Sequence, residues 1–475
     1  MQTMKLRTAL LFSCLLFVPA MSLAQNTLPP DVQAKVDAAV ADVLAKTGVP
    51  SASVGIVQNG AIVMTKAYGL AKLDPKTPAT AEMRYAVGSI SKQFTAACIL
   101  LLQEDGKLTI DDPVSKWFPE LTRSKDVKIR HLLSHTSGYQ DYAPQDYTIP
   151  AWTKPTTADR IIHEWATKPL DFEPGSQYQY SNTNFNIAGL IVEKASGQPF
   201  WTFLSSRVLK PLGMAATIDL DQERPKMEPI GYKRHALAPL RPAIPEAPGW
   251  YFADGEMAMP VGDLLRWDLS MMNQTVLKKD SYAAMWTDQK LTTGNSARYG
   301  LGVSVGMNAG RRVVSHSGEV GGFVAQNVIL PDDKFAVAVL TNQDASAAAG
   351  SIGRAVMNLL APAPAAPVAA PTTEKEKAEA QAKDIIVKLQ QGQIDRTLFT
   401  GNGNFYFDPA SLEDHRTSLS PLGAVQSVTQ TTTNLRGGMT FRSFDVAFAN
   451  GTHVRLTTYT TNDGKLEQFL IAAQG

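Results

Sequence analysis

Cysteine is nearly missing: the 475 residues hold two, Cys14 and Cys98. Cys14 lies in an N-terminal leader, which leaves Cys98 alone in "TAACILLL", a small buried apolar residue. With no second thiol to pair, stability has to come from core packing. Charge imbalance is missing too. Lys and Arg number 45 against 44 Asp and Glu, and no basic block stands out. That excludes the electrostatic footprint of a nucleic-acid binder. Beyond the leader no apolar run reaches the ~18 residues that would span a membrane. Histidine is scarce, with seven in all. Its one close pair, His131 and His135 in "HLLSHTSGY", lacks the glutamate of a zinc-protease helix, so no metal and no other cofactor is expected.

The leader has a definite pattern. "MQTMKLR" is positive, "TALLFSCLLFVPA" is a short apolar run, and "SLA" precedes Gln25. This reads as a secretory signal over residues 1–24, too short to span a bilayer. Cleavage near Ala24/Gln25 would deliver the chain to a periplasm or outside the cell.

A chain this long calls for two or three domains. Residues 31–47 have helical apolar spacing, and "SASVGIVQNGAIVMTKAYG" reads as a hairpin turning at Asn59-Gly60. A mostly helical stretch runs to about residue 290. Three strand-like runs follow, "RRVVSHS", "FVAQNVILP" and "KFAVAVLTN", then a helix, "SIGRAVMNLL". Strands at both ends of a helical block predict an α+β fold: one antiparallel sheet flanked by helices, with a large all-helical lobe. Residues 361–373 are a Pro/Ala linker. Residues 374–475 read as a smaller α+β domain, a helix on a curved antiparallel sheet, shaped as a nuclear-transport-factor-like cone or a small lipocalin-like barrel. No catalytic constellation is legible there.

The stretch "VGSISKQ" (87–93) reads as the start of a helix that runs to about Gly106. A lysine there opposes the helix dipole. Ser89 and Lys92, one turn apart, share a face. The free N–H groups of a helix start favour an oxyanion, and a desolvated lysine can accept the serine proton. Tyr180-Ser181-Asn182 and His316-Ser317-Gly318 complete an ordered set. Singly, Tyr180 could be a buried tyrosine, Asn182 a helix N-cap and His316 a plain strand residue. Together they point to nucleophilic catalysis.

The set and its contexts, "RYAVGSISKQFTA", "IRHLLSHTSGY", "EPGSQYQYSNTNFNIAGLIVEKASGQPF" and "YGLGVSV", resemble the serine β-lactamase and penicillin-binding-protein superfamily. The nearest branch is that of class C β-lactamases, D-alanyl carboxypeptidases and esterases. The likeness leaves the C-terminal part outside and implies a β-lactamase/transpeptidase-like fold for residues 25–360. By motif it implies Ser89 as acylated nucleophile, Lys92 as proton acceptor and Tyr180 as the shuttle to the leaving group. Asn182 would orient Lys92 and bind substrate, and His316 and Gly318 would line the cleft. The backbone N–H groups of Ser89 and Glu319 would form the oxyanion hole. Lys92 and Tyr180 both stay open as the acylation base. Class C β-lactamases carry lysine where His316 stands. A histidine offers a substrate carboxylate only a weaker, pH-dependent contact.

The expectation is an exported serine hydrolase acting on an amide or ester, with D-alanyl or D-amino-acid peptides ahead of carboxylesterase or weak β-lactamase activity. Small peptides, esters or β-lactams are the expected ligands, with no nucleic acid and no membrane span. A ligand or protein partner is left open for the C-terminal domain. The competing class is a non-catalytic protein that binds and senses muropeptides.

Overall fold

The structure, a computed structural model, describes residues 27–308, 310–362 and 373–474. The expected signal segment at 1–24, and the linker apart from its ends, lie outside them. Helix α1 (Pro30–Thr47) opens on proline and ends at Gly48, whose φ of 69° makes a left-handed cap. Strands β1 (Ser51–Gln58) and β2 (Ala61–Leu73) form the expected hairpin. Asn59 and Gly60 both take positive φ, 55° and 75°, the backbone such a turn demands. Strand β3 (Lys76–Pro78) pairs with the outer edge of β2.

The central block is built on α2 (Ser91–Glu104), α3 (Asn182–Ser196) and α4 (Val261–Asn273). Then come β4 (Ser304–Asn308), β5 (Arg311–Val320), β6 (Phe323–Leu330), β7 (Phe335–Thr341) and α5 (Ala348–Leu360). The sheet runs β3-β2-β1-β7-β6-β5-β4, antiparallel at every pairing. Strand β1 lies against β7, from Ala52 opposite Thr341 to Val57 opposite Ala336. The two ends of the domain thus meet in mid-sheet.

Strand β7 is buried along its whole length, and its alternation divides two cores. Val337 and Val339 join Val36, Val40, Ile352 and Val356 beneath α1 and α5. Ala336, Ala338 and Leu340 join Phe94, Phe185, Leu264 and Trp267 beneath the helical block. Helix α2 is buried from Ser91 to Leu102, as expected of a helix enclosed on all sides.

Two details differ from the sequence reading. The α-helix begins at Ser91, because Gly88–Ile90 form a separate 3-10 turn that carries Ser89. The lobe also holds two small β ribbons: Tyr85–Ala86 with Met257–Met259 and Ile218–Asp219, and Tyr232–Lys233 with Arg241–Pro242. Strands of two or three residues are too short to leave a period-two signal in a sequence.

Beyond the linker, α6 (Thr373–Leu389) and α7 (Pro409–Leu419) precede β8 (Val425–Arg436), β9 (Met439–Phe448), β10 (His453–Thr460) and β11 (Leu466–Ala473). The four strands form an open meander with β8 and β11 at its edges, not a closed barrel. Ile385, Ile386, Leu389, Phe444, Leu456 and Phe469 share one core with Ala236, which comes from the first domain.

Candidate active site

Strand β5 passes so close to the 3-10 turn that neither tolerates a side chain at the contact. A Cβ on Gly318 would lie 1.8 Å from the Val87 carbonyl oxygen and 3.0 Å from the Ser89 nitrogen. A Cβ on Gly88 would lie 2.8 Å from the Glu319 nitrogen. The contact therefore gathers the amide nitrogens of Ser89 and Glu319, and it requires glycine at 318 before any substrate arrives. Gly318→Ala is expected to cost about 2–3 kcal/mol of stability, the range for a forced backbone shift in a packed core. A urea titration of the full chain reads it.

Lys92 is fully buried, and its ammonium makes three hydrogen bonds. Nζ donates to Ser89 Oγ at 3.0 Å, to Asn182 Oδ1 at 2.7 Å and to the Asp254 carbonyl at 2.8 Å. Burial lowers its pKa to about 8; the carboxylates of Asp254 and Asp141 oppose that shift, and the charge of Arg436 adds to it. Asn182 is the first residue of α3, with Ser181 in the capping position, so the N-cap reading of Asn182 does not hold. Its amide is fixed from behind, Nδ2 donating to Asp141 Oδ1 at 3.1 Å and to the Ala143 carbonyl at 3.0 Å. That leaves Oδ1 facing Lys92.

Tyr180 lines the same cleft as Ser89, and burial raises its pKa well above the ordinary phenol range. Its ring lies 4.1 Å, centroid to centroid, from His135. Burial holds His135 well below the usual imidazole range, and its Nδ1 accepts the Ser181 N–H at 3.2 Å. His316 is neutral as well. Its Nδ1–H donates to the Ser317 carbonyl at 2.5 Å, and Nε2 accepts the Tyr299 hydroxyl at 2.7 Å. Burial and then the Lys92 charge lower its pKa to about 3. The pH-dependent contact expected of this histidine near neutrality is therefore absent. The Glu319 carboxyl accepts the Ala345 N–H at 2.6 Å.

All seven expected residues meet at this place. Ser89, Tyr180, Asn182, His316, Gly318 and Glu319 line one cleft of about 350 Å³, with Trp152 and Trp250 among its walls. Lys92 lies behind Ser89. Sequence reasoning missed Asp141 and Asp254, which no motif marks. The Asp254 carboxyl, raised by burial to about 7, accepts from Tyr142 and Asn186 at 2.8 Å each. It also missed the C-terminal domain's share of the cleft, Leu435, Arg436 and Tyr459 among others. The one signal was Gly437-Gly438, whose tight turn puts Arg436 at a hairpin tip.

The Beta-lactamase family model matches residues 36–361. Protein flp of Staphylococcus aureus (strain NCTC 8325 / PS 47) is 28% identical over 325 residues, 66% of this chain and 64% of that protein. The match thus spans less than two thirds of that relative. Among solved structures, a D-stereospecific amidohydrolase from Streptomyces sp. is 27% identical with a TM-score of 0.58, over 69% of this chain and 98% of that one. An octameric penicillin-binding protein homologue from Pyrococcus abyssi, 22% identical with a TM-score of 0.60, shares the fold over 92% of this chain and 99% of its own. A sheet closed by the two ends of the domain, a helical block beside it and a family match over most of the length agree: the chain belongs to the Beta-lactamase family.

Proposed function

We propose that the protein is an exported serine hydrolase that forms an acyl-enzyme on Ser89 and hydrolyses short amides or esters of D-amino acids, D-alanyl peptides among them. One observation carries the reading: a fully buried lysine, lowered to about 8, holds the Ser89 hydroxyl at 3.0 Å. Of the two candidate bases Lys92 is the better, since burial makes its neutral form accessible while it keeps Tyr180 protonated. Neutral Lys92 takes the Ser89 proton as Oγ attacks the carbonyl carbon. The N–H groups of Ser89 and Glu319 hold the oxyanion. The proton passes through Tyr180 to the departing amine or alcohol, and water then releases the acid from Ser89 by the reverse route.

The substrate class rests on three supports. A cleft of about 350 Å³ suits a small molecule. A neutral His316 gives no cation to the carboxylate of a β-lactam or of a free peptide end beside the scissile bond. A relative in fold, 27% identical, is a D-stereospecific amidohydrolase. Export rests on the N-terminal pattern alone. A muropeptide sensor would have no use for the Lys92–Ser89 bond.

The test is intact-mass analysis of the mature protein after a fluorophosphonate or labelled penicillin, followed by rates on D- and L-alanine amides, a short acyl ester and a cephalosporin. The expected result is one adduct, D-alanine amide ahead of its L-isomer, and the cephalosporin slowest. No adduct with either reagent would overturn the hydrolase reading.

A further inference from the structure

Of the C-terminal residues that line the cleft, Arg436 is the one that lies against both Asp141 and the Tyr180 ring. The β8–β9 hairpin turns on Gly437 and Gly438, with φ of 59° and 70°, and Arg436 is the last residue before the turn, paired with Met439. The tip is seated on the first domain. A Cβ on Gly437 would lie 2.9 Å from Pro144 Cβ, and the backbones of Tyr180 and Arg436 form a parallel bridge.

The Arg436 guanidinium is committed to the protein. Nη1 donates to the Tyr459 hydroxyl and Nη2 to the Ala143 carbonyl, both at 3.0 Å, and Nε lies 3.3 Å from Asp141 Oδ2. Asp146 stands 3.6 Å away. The group also lies 5.0 Å from the centroid of the Tyr180 ring, which has Lys92 Nζ at 5.1 Å. An arginine so occupied is poorly placed to hold a substrate, but it is well placed to hold the residues that do the chemistry. The Asp141 side chain is fully buried and takes the backbone N–H and Nδ2 of Asn182. Without a cation beside it, a buried carboxylate would keep only neutral donors. The contacts thus run unbroken from Arg436 through Asp141, Asn182 and Lys92 to Ser89.

Arg436 is not alone in docking the two domains. His235 and Arg241 both bond Asp414. Asp146 and Gln468 exchange hydrogen bonds of 2.7 and 2.9 Å, and the Tyr147 hydroxyl donates to the Glu467 carbonyl at 2.9 Å.

We propose that Arg436 is a positioning residue for the Ser89–Lys92 pair, acting through Asp141 and Asn182 and across the Tyr180 ring, so that the C-terminal domain is a working part of the hydrolase. This rests on the hydrolase reading above. The test uses the full chain and reads the fluorophosphonate labelling rate of Ser89, then kcat and KM on a D-alanine anilide. Arg436→Ala is expected to lower the labelling rate and kcat by about 10- to 100-fold, the scale of a sub-ångström misplacement, with KM changed less than about threefold. Arg436→Lys, which keeps the charge between Asp141 and Tyr180, is expected to recover part of the loss. Thr433→Ala, exposed on the same strand, is expected to match the unaltered chain. If Arg436 acts through Asp141, then adding Arg436→Ala to Asp141→Asn costs less than it does alone. Equal labelling of Arg436→Ala and the unaltered chain would overturn the positioning role alone. Fully additive losses in the Asp141 pair would overturn the route through Asp141. No labelling of the unaltered chain would overturn the hydrolase reading and this inference with it.

Discussion

Ser89→Ala is expected to abolish the covalent adduct and to lower kcat by at least ~10⁴-fold, the loss seen when a nucleophile is removed from a unit whose parts act together. The site contains no ready substitute. Lys92 lies behind Ser89 with all three donors engaged, and the Tyr180 phenol is held protonated by burial. Cys98, the one free thiol among the described residues, is buried in α2. The cleft would still bind substrate, because its walls and the amide nitrogens of Ser89 and Glu319 do not depend on the hydroxyl. KM should therefore move little while kcat falls. Intact mass after fluorophosphonate treatment reads the first effect, and steady-state rates read the second. A mass shift persisting in Ser89→Ala would place the nucleophile elsewhere.

Lys92→Met is expected to lower kcat/KM by about 10³-fold, within the range for losing a positioned general base. It should also change the pH profile. A base works deprotonated, so activity of the unaltered chain should rise with pH and level off above about 8, where Lys92 loses its proton. His316, at about 3, contributes no limb near neutrality. Asp254, at about 7, ionises just before Lys92, and its charge opposes the loss of that proton. In Lys92→Met the limb near 8 should vanish. Stability of Lys92→Met should rise where its activity falls. The folded pKa lies below the ordinary 10.5, so between these values the unfolded chain binds more protons, and stability of the unaltered chain rises with pH across that window. Below about 8 the burial of the ammonium is fully disfavoured. The gain in stability of Lys92→Met over the unaltered chain should therefore be largest there and shrink toward pH 10.5. Chemical denaturation at pH 7 and pH 10 reads the difference.

Much of the site could be read from the sequence because its chemistry is written locally. Ser89 and Lys92 share a face through their spacing of three, which holds whether the backbone is 3-10 or α at Ser89. Tyr180 with Asn182 and His316 with Gly318 are likewise two residues apart within single segments. The Asn59-Gly60 hairpin and the strands around the helical block follow from short-range pattern, and they were enough to place both ends of the domain in one sheet.

What surrounds those residues could not be read that way. Asn182 reaches Lys92 across 90 positions, Asp254 across 162, and Arg436 reaches Asp141 across 295. None of the segments bearing Asp141, Asp254 or Arg436 has a motif of its own. Gly318 was legible only as a residue lining the cleft, and the fold shows that the Val87 carbonyl fills the space a side chain there would need. His316 looked like a titrating contact until burial and the Tyr299 hydroxyl made it a neutral one. Spacing along the chain sets which side chains share a face. The proton affinity of Lys92, Tyr180 and His316 comes from the water each has lost and the charges brought near it, and both depend on segments that meet only when the two domains have folded and docked.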